Sequence, residues 1–95
     1  MVEKFAVIGL GQFGRAICKK LSEKGAEVIA IDIDEDRVDE IKDNVSYAVQ
    51  LDSTDKGALE SQNIGDMDAV IVSIGHNFEA MLLTTVKSVS YTHLR

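Results

Sequence analysis

Hydrophobic and polar positions along the chain fall into two alternating kinds of segment. Three short apolar runs, Phe5–Ile8, Val28–Ile33 and Ala69–Ile74, are rich in Val and Ile and for the most part do not alternate with polar residues. Unbroken β-branched runs of that length read as strands buried on both faces, the signature of a parallel sheet. A weaker strand candidate, Tyr47–Leu51, lies between the second and third runs. The intervening segments carry a helical period. From Phe13 to Lys24 the apolar positions Phe13, Ile17, Cys18 and Leu21 recur at three- and four-residue steps, while Lys19, Lys20, Glu23 and Lys24 fall on the wet face or in the last turn. Gly25 then stands where a helix ends on a left-handed residue. Asp34 is placed to cap a second helix with Val38, Ile41 and Val45 inside. A short third helix is expected over Lys56–Gln62 with Thr54 as its cap, and a fourth from near Asn77 through Ala80, Met81, Leu82, Leu83 and Val86.

Four strand–helix units in succession imply an α/β fold with a parallel sheet, right-handed crossovers and helices on both faces. Doubly wound connections give strand order 3-2-1-4, with the winding reversing between the first and fourth strands. A fifth apolar strand would be expected next, but Ser88–Arg95 is polar and patternless. The expected organisation is therefore one incomplete domain over 1–87, truncated after the fourth unit, and a tail of uncertain origin over 88–95. A fourth strand left outermost would carry an exposed apolar edge.

Composition narrows the function. Of 95 residues, 10 are Lys or Arg and 16 Asp or Glu, a formal charge of −6. A nucleic-acid binder would need a basic face, so that class is disfavoured, and any bound phosphate must be held locally by backbone N–H groups and one or two side chains. The single Cys18 excludes an internal disulfide and a cysteine-rich zinc site, and its place on the apolar helix face makes it a core residue. No apolar run approaches the ~20 residues of a membrane-spanning helix, and the acid in Met1-Val2-Glu3-Lys4 makes a poor secretory leader. A cytoplasmic domain is the expectation.

The strongest motif is Gly9-Leu10-Gly11-Gln12-Phe13-Gly14, a G-x-G-x-x-G directly after a strand and opening a helix. An acid, Asp32, closes the next strand 18 residues past Gly14, near the usual spacing of about 20. Together these make a Rossmann-like dinucleotide turn. Gly9 permits the tight bend, Gly11 lets a pyrophosphate approach the backbone, and Gly14 lets helix and strand pack closely. The helix N-terminus offers N–H groups and a positive dipole end to the anion. Gln12 can donate a hydrogen bond but no charge. Arg15 is either a phosphate contact or, more readily, a solvated surface arginine. Asp32 can accept from ribose hydroxyls and, with Asp34, would repel a 2′-phosphate, so NADP is disfavoured.

Ser73-Ile74-Gly75-His76-Asn77 falls across the crevice from this turn. Gly75 permits close approach, and Asn77 either bonds the ligand or caps its helix. Asp52-Ser53-Thr54, at the end of the third strand, is either a contact to a base edge or an ordinary polar turn. His76 as a catalytic acid or base is the lesser reading, because no partner acid is visible. His93 lies in the tail, and no His/Cys/Asp/Glu cluster has metal-ligand spacing.

Phe5–Gly14, Val28–Asp32 and Ala69–Gly75 followed by Asn77-Phe-Glu-Ala80 resemble the N-terminal lobe of the Ktr/Trk-type RCK (KTN) domains over about residues 4–87. The resemblance implies a cytosolic regulatory subunit of a potassium uptake system, peripheral to the inner membrane through its partner. It implies binding of NAD(H), ATP or ADP, assembly as a homodimer or larger ring on a membrane-embedded channel or transporter subunit, and gating by nucleotide exchange. The residues carried over are Gly9, Gly11 and Gly14 at the phosphates, Asp32 at the ribose, Asp52 near the base, and Asn77 across the crevice; the candidate cofactor site also takes in Gln12 and Phe13 of the turn and Gly75. Many members have arginine in place of Gln12, where it would help bind the terminal phosphates of ATP. Two other functions stay open: the N-terminal fragment of an NAD-dependent dehydrogenase, and an incomplete fold that binds nothing well.

Overall fold

Lys4–Ile8 (β1) takes the middle of a parallel sheet because both of its faces must be covered. Ala6 and Val7 point to opposite sides, and neither has exposed surface. In this computed structural model, residues 2–73 are described in full, together with the backbone of 80–85 and 91–94. Glu27–Asp32 (β2) pairs with β1 on one side and Ala69–Ser73 (β4) on the other, both parallel, and Tyr47–Gln50 (β3) pairs outside β2. The order 3-2-1-4 expected of a doubly wound sheet is the order found. The β1–β4 register is pinned at its start, where the Lys4 N–H donates to Asp68 Oδ2 at 2.7 Å and the Asp68 N–H returns a bond to the Lys4 carbonyl at 2.8 Å.

Gln12–Glu23 (α1) and Glu35–Ile41 (α2) pack on one face, over Val7, Val28, Ala30, Val38, Ile41, Leu10 and Cys18. Lys56–Glu60 (α3) and the 3-10 turn Ile64–Asp66 lie on the other, over Ala6, Ile8, Ile31, Met67, Val70 and Val72. Alternate residues of each strand thus feed two separate cores. Burying one Val or Ile side chain contributes about 1.5–3 kcal/mol, so a two-sided strand such as β1 or β2 is far better held inside the sheet than at its edge. Helix ends follow local chemistry. The Asp34 side chain accepts from the Asp36 N–H at 2.9 Å, and Glu35 and Asp36 add negative charge where the α2 dipole is positive. Gly25, at φ +87°, ends α1. Its N–H reaches the Ser22 carbonyl at 3.0 Å and the Ala26 N–H the Leu21 carbonyl at 3.1 Å, a Schellman closure that β-carbon-bearing residues adopt at a cost.

Three expectations are corrected. The cap of α3 is Asp55, which accepts from the Ala58 N–H at 3.1 Å, not Thr54. Thr54 instead gives its hydroxyl to Asp52. The segment expected as a fourth helix contains Ala80–Thr85 (β5), which runs antiparallel to β4 with Ser73 opposite Ala80 and Val70 opposite Leu83. A short apolar run does not by itself distinguish buried helix from strand, and β5 supplies hydrogen-bond partners that an outermost β4 would lack. β4 is therefore not an edge. Within the tail expected to be patternless, Tyr91–Leu94 (β6) pairs antiparallel with β5.

Candidate functional site

Three backbone bends converge at the carboxyl ends of β1, β2 and β3. After Ile8 the chain turns at Gly9, whose φ of +97° is a conformation that side-chain-bearing residues rarely adopt. The Gly9 N–H still belongs to the sheet, donating to the Ile31 carbonyl at 2.8 Å. The next amide, Leu10, leaves the ladder and donates to Asp32 Oδ2 at 2.6 Å, while its side chain is fully buried. Gly11 then caps α1 with extended backbone (φ −70°, ψ −171°), and its carbonyl accepts the first helical bond from the Arg15 N–H at 3.0 Å.

The three glycines have different tasks. A Cβ on Gly14 would stand 1.9 Å from the Gly9 carbonyl oxygen and 3.0 Å from its carbon, so the start of α1 rests directly on the bend. A Cβ on Gly11 would meet, among the described residues, nothing nearer than Arg37 Nη1 at 3.8 Å. Packing requires Gly14 to be bare; among the described residues it leaves open space at Gly11. The first N–H groups of an α-helix have no intrahelical acceptor. Side chains cap α2 and α3, whereas among the described residues no side chain caps α1, and no acid stands in its first turn. The amides beside the space at Gly11 thus suit an external anion such as a pyrophosphate. Gln12 and Phe13 are exposed on the first turn, Phe13 at 42%.

Asp32 is the only buried charged residue among those described. Besides the bond to Leu10, its Oδ1 accepts from the Asp34 N–H at 2.8 Å. One carboxylate thus ties the glycine bend to the entry of α2. A carboxylate has about four acceptor sites, so these two bonds leave capacity for hydroxyl donors. Ile33 follows, 63% exposed. Asp52 is exposed beyond the end of β3, where its Oδ1 accepts from the Thr54 hydroxyl at 2.6 Å and the Thr54 N–H at 2.9 Å. The hydroxyl bond first, and the amide bond second, hold its carboxyl below the ordinary value. Asp52 thus forms a polar turn that stays ionised at neutral pH.

Arg15 turns away from the bend: its Nη1 pairs with Glu40 Oε2 of α2 at 2.7 Å. Cys18 is core, and burial pushes its thiol up to about 12. Gly75, His76 and Asn77 lie outside the described residues. Arg37, whose Nη1 comes within 3.8 Å of a Cβ position on Gly11, is a neighbour of the bend that the motif did not announce. Its signal was topological, since the acid ending β2 must touch the glycine bend, and a residue in the first turns of α2 then lies within reach of it. On the opposite face of the sheet, a mostly apolar cleft of ≈ 340 Å³ is lined by Ile8, Leu59, Ile64 and Val70 with Ser53 and Thr54. It includes no residue of the glycine bend.

With this geometry goes a match of residues 5–91 to the family model of the TrkA-N domain. The chain belongs to the TrkA-N family. Over 86 residues this TrkA-N domain is 54% identical to the Ktr system potassium uptake protein C of Bacillus subtilis, covering 90% of the chain and 39% of that protein. It is 42% identical over 84 residues to the Ktr system potassium uptake protein A of Vibrio alginolyticus, covering 88% of the chain and 38% of that protein. A UDP-N-acetyl-D-mannosamine dehydrogenase of Methanococcus vannielii is 41% identical over 66 residues, which cover 66% of the chain and 15% of the enzyme. The chain spans less than two fifths of the length of the potassium uptake proteins it resembles.

Proposed function

We propose that the chain is a nucleotide-binding regulatory module of a potassium uptake system, working in the cytoplasm. The single observation that carries the reading is the bend itself: uncapped N-terminal amides of α1 beside the open space at Gly11, with Asp32 fixed alongside. The ligand is an adenine nucleotide, NAD(H) or ATP/ADP. Its pyrophosphate lies over Gly9, Gly11 and Gly14 with Gln12 and Phe13 at the helix start. Its ribose hydroxyls donate to Asp32, and its base lies toward Ile33 and Asp52. Gly75 and Asn77 complete the crevice. The likeness to the two Ktr proteins supports the potassium-uptake context.

The partner is a membrane-embedded potassium channel or transporter subunit, on which the module assembles as a homodimer or larger ring. No helix among the described residues is long and apolar enough to cross a membrane, so contact with the membrane would run through that partner. Regulation follows from differential affinity, because a ligand shifts a conformational equilibrium only as far as it binds one state better. Calorimetric titration with ATP, ADP, NAD and NADH, with mass followed by light scattering, tests the assignment. Binding of at least one, with a ligand-dependent change in mass and no turnover, is expected. A folded sample that binds none refutes it. Steady oxidation of NADH with a small substrate would favour the dehydrogenase reading instead, which the partial likeness to a dehydrogenase keeps in view.

A further inference from the structure

Among the described residues, the glycine bend is short of positive charge. Gln12 has none, and Arg15 is committed to Glu40 at 2.7 Å. Carboxylates surround the entry of α2: Asp32 and Asp34 beside the bend, then Glu35 and Asp36 in the first turn. A ligand carrying two phosphates must approach against this field. Among the described residues, Arg37 is placed to offset it. Arg37 Nη1 lies 3.8 Å from where a Cβ would stand on Gly11, so the guanidinium lies beside the bare backbone of the bend. Its hold elsewhere is loose. Its Nε is 3.9 Å from Asp34 Oδ2, beyond hydrogen-bond distance, and both side chains are about half exposed at 52% and 50%. An exposed pair of that kind contributes little, and a phosphate offers the planar guanidinium a better, two-pronged partner.

We propose that Arg37 is the phosphate-binding cation of this site: when a nucleoside diphosphate binds, its guanidinium exchanges Asp34 for the pyrophosphate lying over Gly11. This rests on the nucleotide reading above and adds to it which side chain supplies the charge. Arg15, nearer in sequence to the bend, does not share that task.

The test titrates ADP and adenosine into the protein and into its Arg37→Ala, Arg37→Lys and Arg15→Ala variants, with thermal melts to confirm folding. Loss of a charge-assisted phosphate contact predicts an ADP affinity about 10- to 100-fold lower for Arg37→Ala. Arg37→Lys recovers part of the loss, because it restores the charge without the planar fork. Adenosine affinity stays within about two-fold, and Arg15→Ala binds ADP within about two-fold of the parent. The ADP affinity of the parent falls more steeply with salt than that of Arg37→Ala. If the parent binds ADP and Arg37→Ala binds it equally well, the role of Arg37 is overturned and the nucleotide reading stands. If Arg37→Ala loses adenosine as strongly as ADP, the residue acts through the fold and the proposal is overturned. A folded parent that binds no nucleotide overturns both.

Discussion

Substituting Gly14 and Gly11 by alanine, one at a time, separates packing from binding at adjacent points of the same bend. In Gly14→Ala the new methyl meets the Gly9 carbonyl oxygen at 1.9 Å and its carbon at 3.0 Å. No rotamer relieves this, because the methyl group and the obstacle are both fixed to backbone. Helix and bend must separate by about an ångström. Overpacking of this kind costs about 3 kcal/mol at the upper end of its usual range, and the better helix propensity of alanine returns at most about 1 kcal/mol. A net loss of ~2 kcal/mol lowers the melting temperature by about 8–16 °C in a domain of this size. In Gly11→Ala the methyl meets, among the described residues, only Arg37 Nη1 at 3.8 Å, and φ −70° suits alanine. Stability should change by less than about 1 kcal/mol, since the stiffer unfolded chain and the poorer helix cap offset one another. The methyl stands where the proposed pyrophosphate would approach, so affinity should fall at least about ten-fold. Circular-dichroism melts paired with calorimetric titration read both quantities. A Gly11→Ala protein that melts as early as Gly14→Ala, or that binds nucleotide as tightly as the parent, refutes this division of labour.

Other substitutions should behave as follows. Asp32→Asn keeps one acceptor oxygen for two backbone donors, so the Leu10 or Asp34 N–H loses its partner. Unfolding titrations should show about 1–3 kcal/mol less stability, and nucleotide affinity should fall with it. Asp34→Ala removes the cap of α2, an expected loss of about 1 kcal/mol, readable as a lower urea midpoint with unchanged slope. Cys18, buried and with its thiol pushed up to about 12, should resist disulfide reagents at pH 8 until the protein is unfolded. Because that thiol keeps its proton in the fold while the unfolded chain releases it near 9, stability should decline as pH rises through that value. Cys18→Ala should flatten the decline, and rapid labelling of the folded protein would contradict the burial.

What was legible in the sequence depended on range. Val-rich runs that are buried on both faces announce their own place in a parallel sheet, so β1, β2, β4 and the order 3-2-1-4 could be read directly. The Gly25 stop and the Asp34 cap are set within a few residues of themselves and were equally plain. The cap of α3 was not, because Asp52, Thr54 and Asp55 are all capable acceptors or donors in one short stretch. Only the fold decides that Thr54 serves Asp52 while Asp55 serves the helix. In sequence alone Ala80–Thr85 reads as helix, because six mainly apolar residues fit either period, and the deciding partner, the edge of β4, is not local. At the site, the glycine spacing and Asp32 were visible. The bond from Asp32 to Leu10 and the approach of Arg37 to Gly11 join residues 22 and 26 positions apart in the chain, and only the folded sheet brings them together.

The two backbone bonds accepted by Asp32 constrain how nucleotide preference can change in this lineage. Accepting a cofactor phosphorylated at the ribose 2′ position would ordinarily begin by deleting that acid. Here the deletion also releases the amide of Leu10 and the first residue of the α2 entry, so the loop would slacken before any new preference could be selected. A redesign toward such a cofactor would first need a neutral brace for both amides, and only afterwards an altered sugar contact.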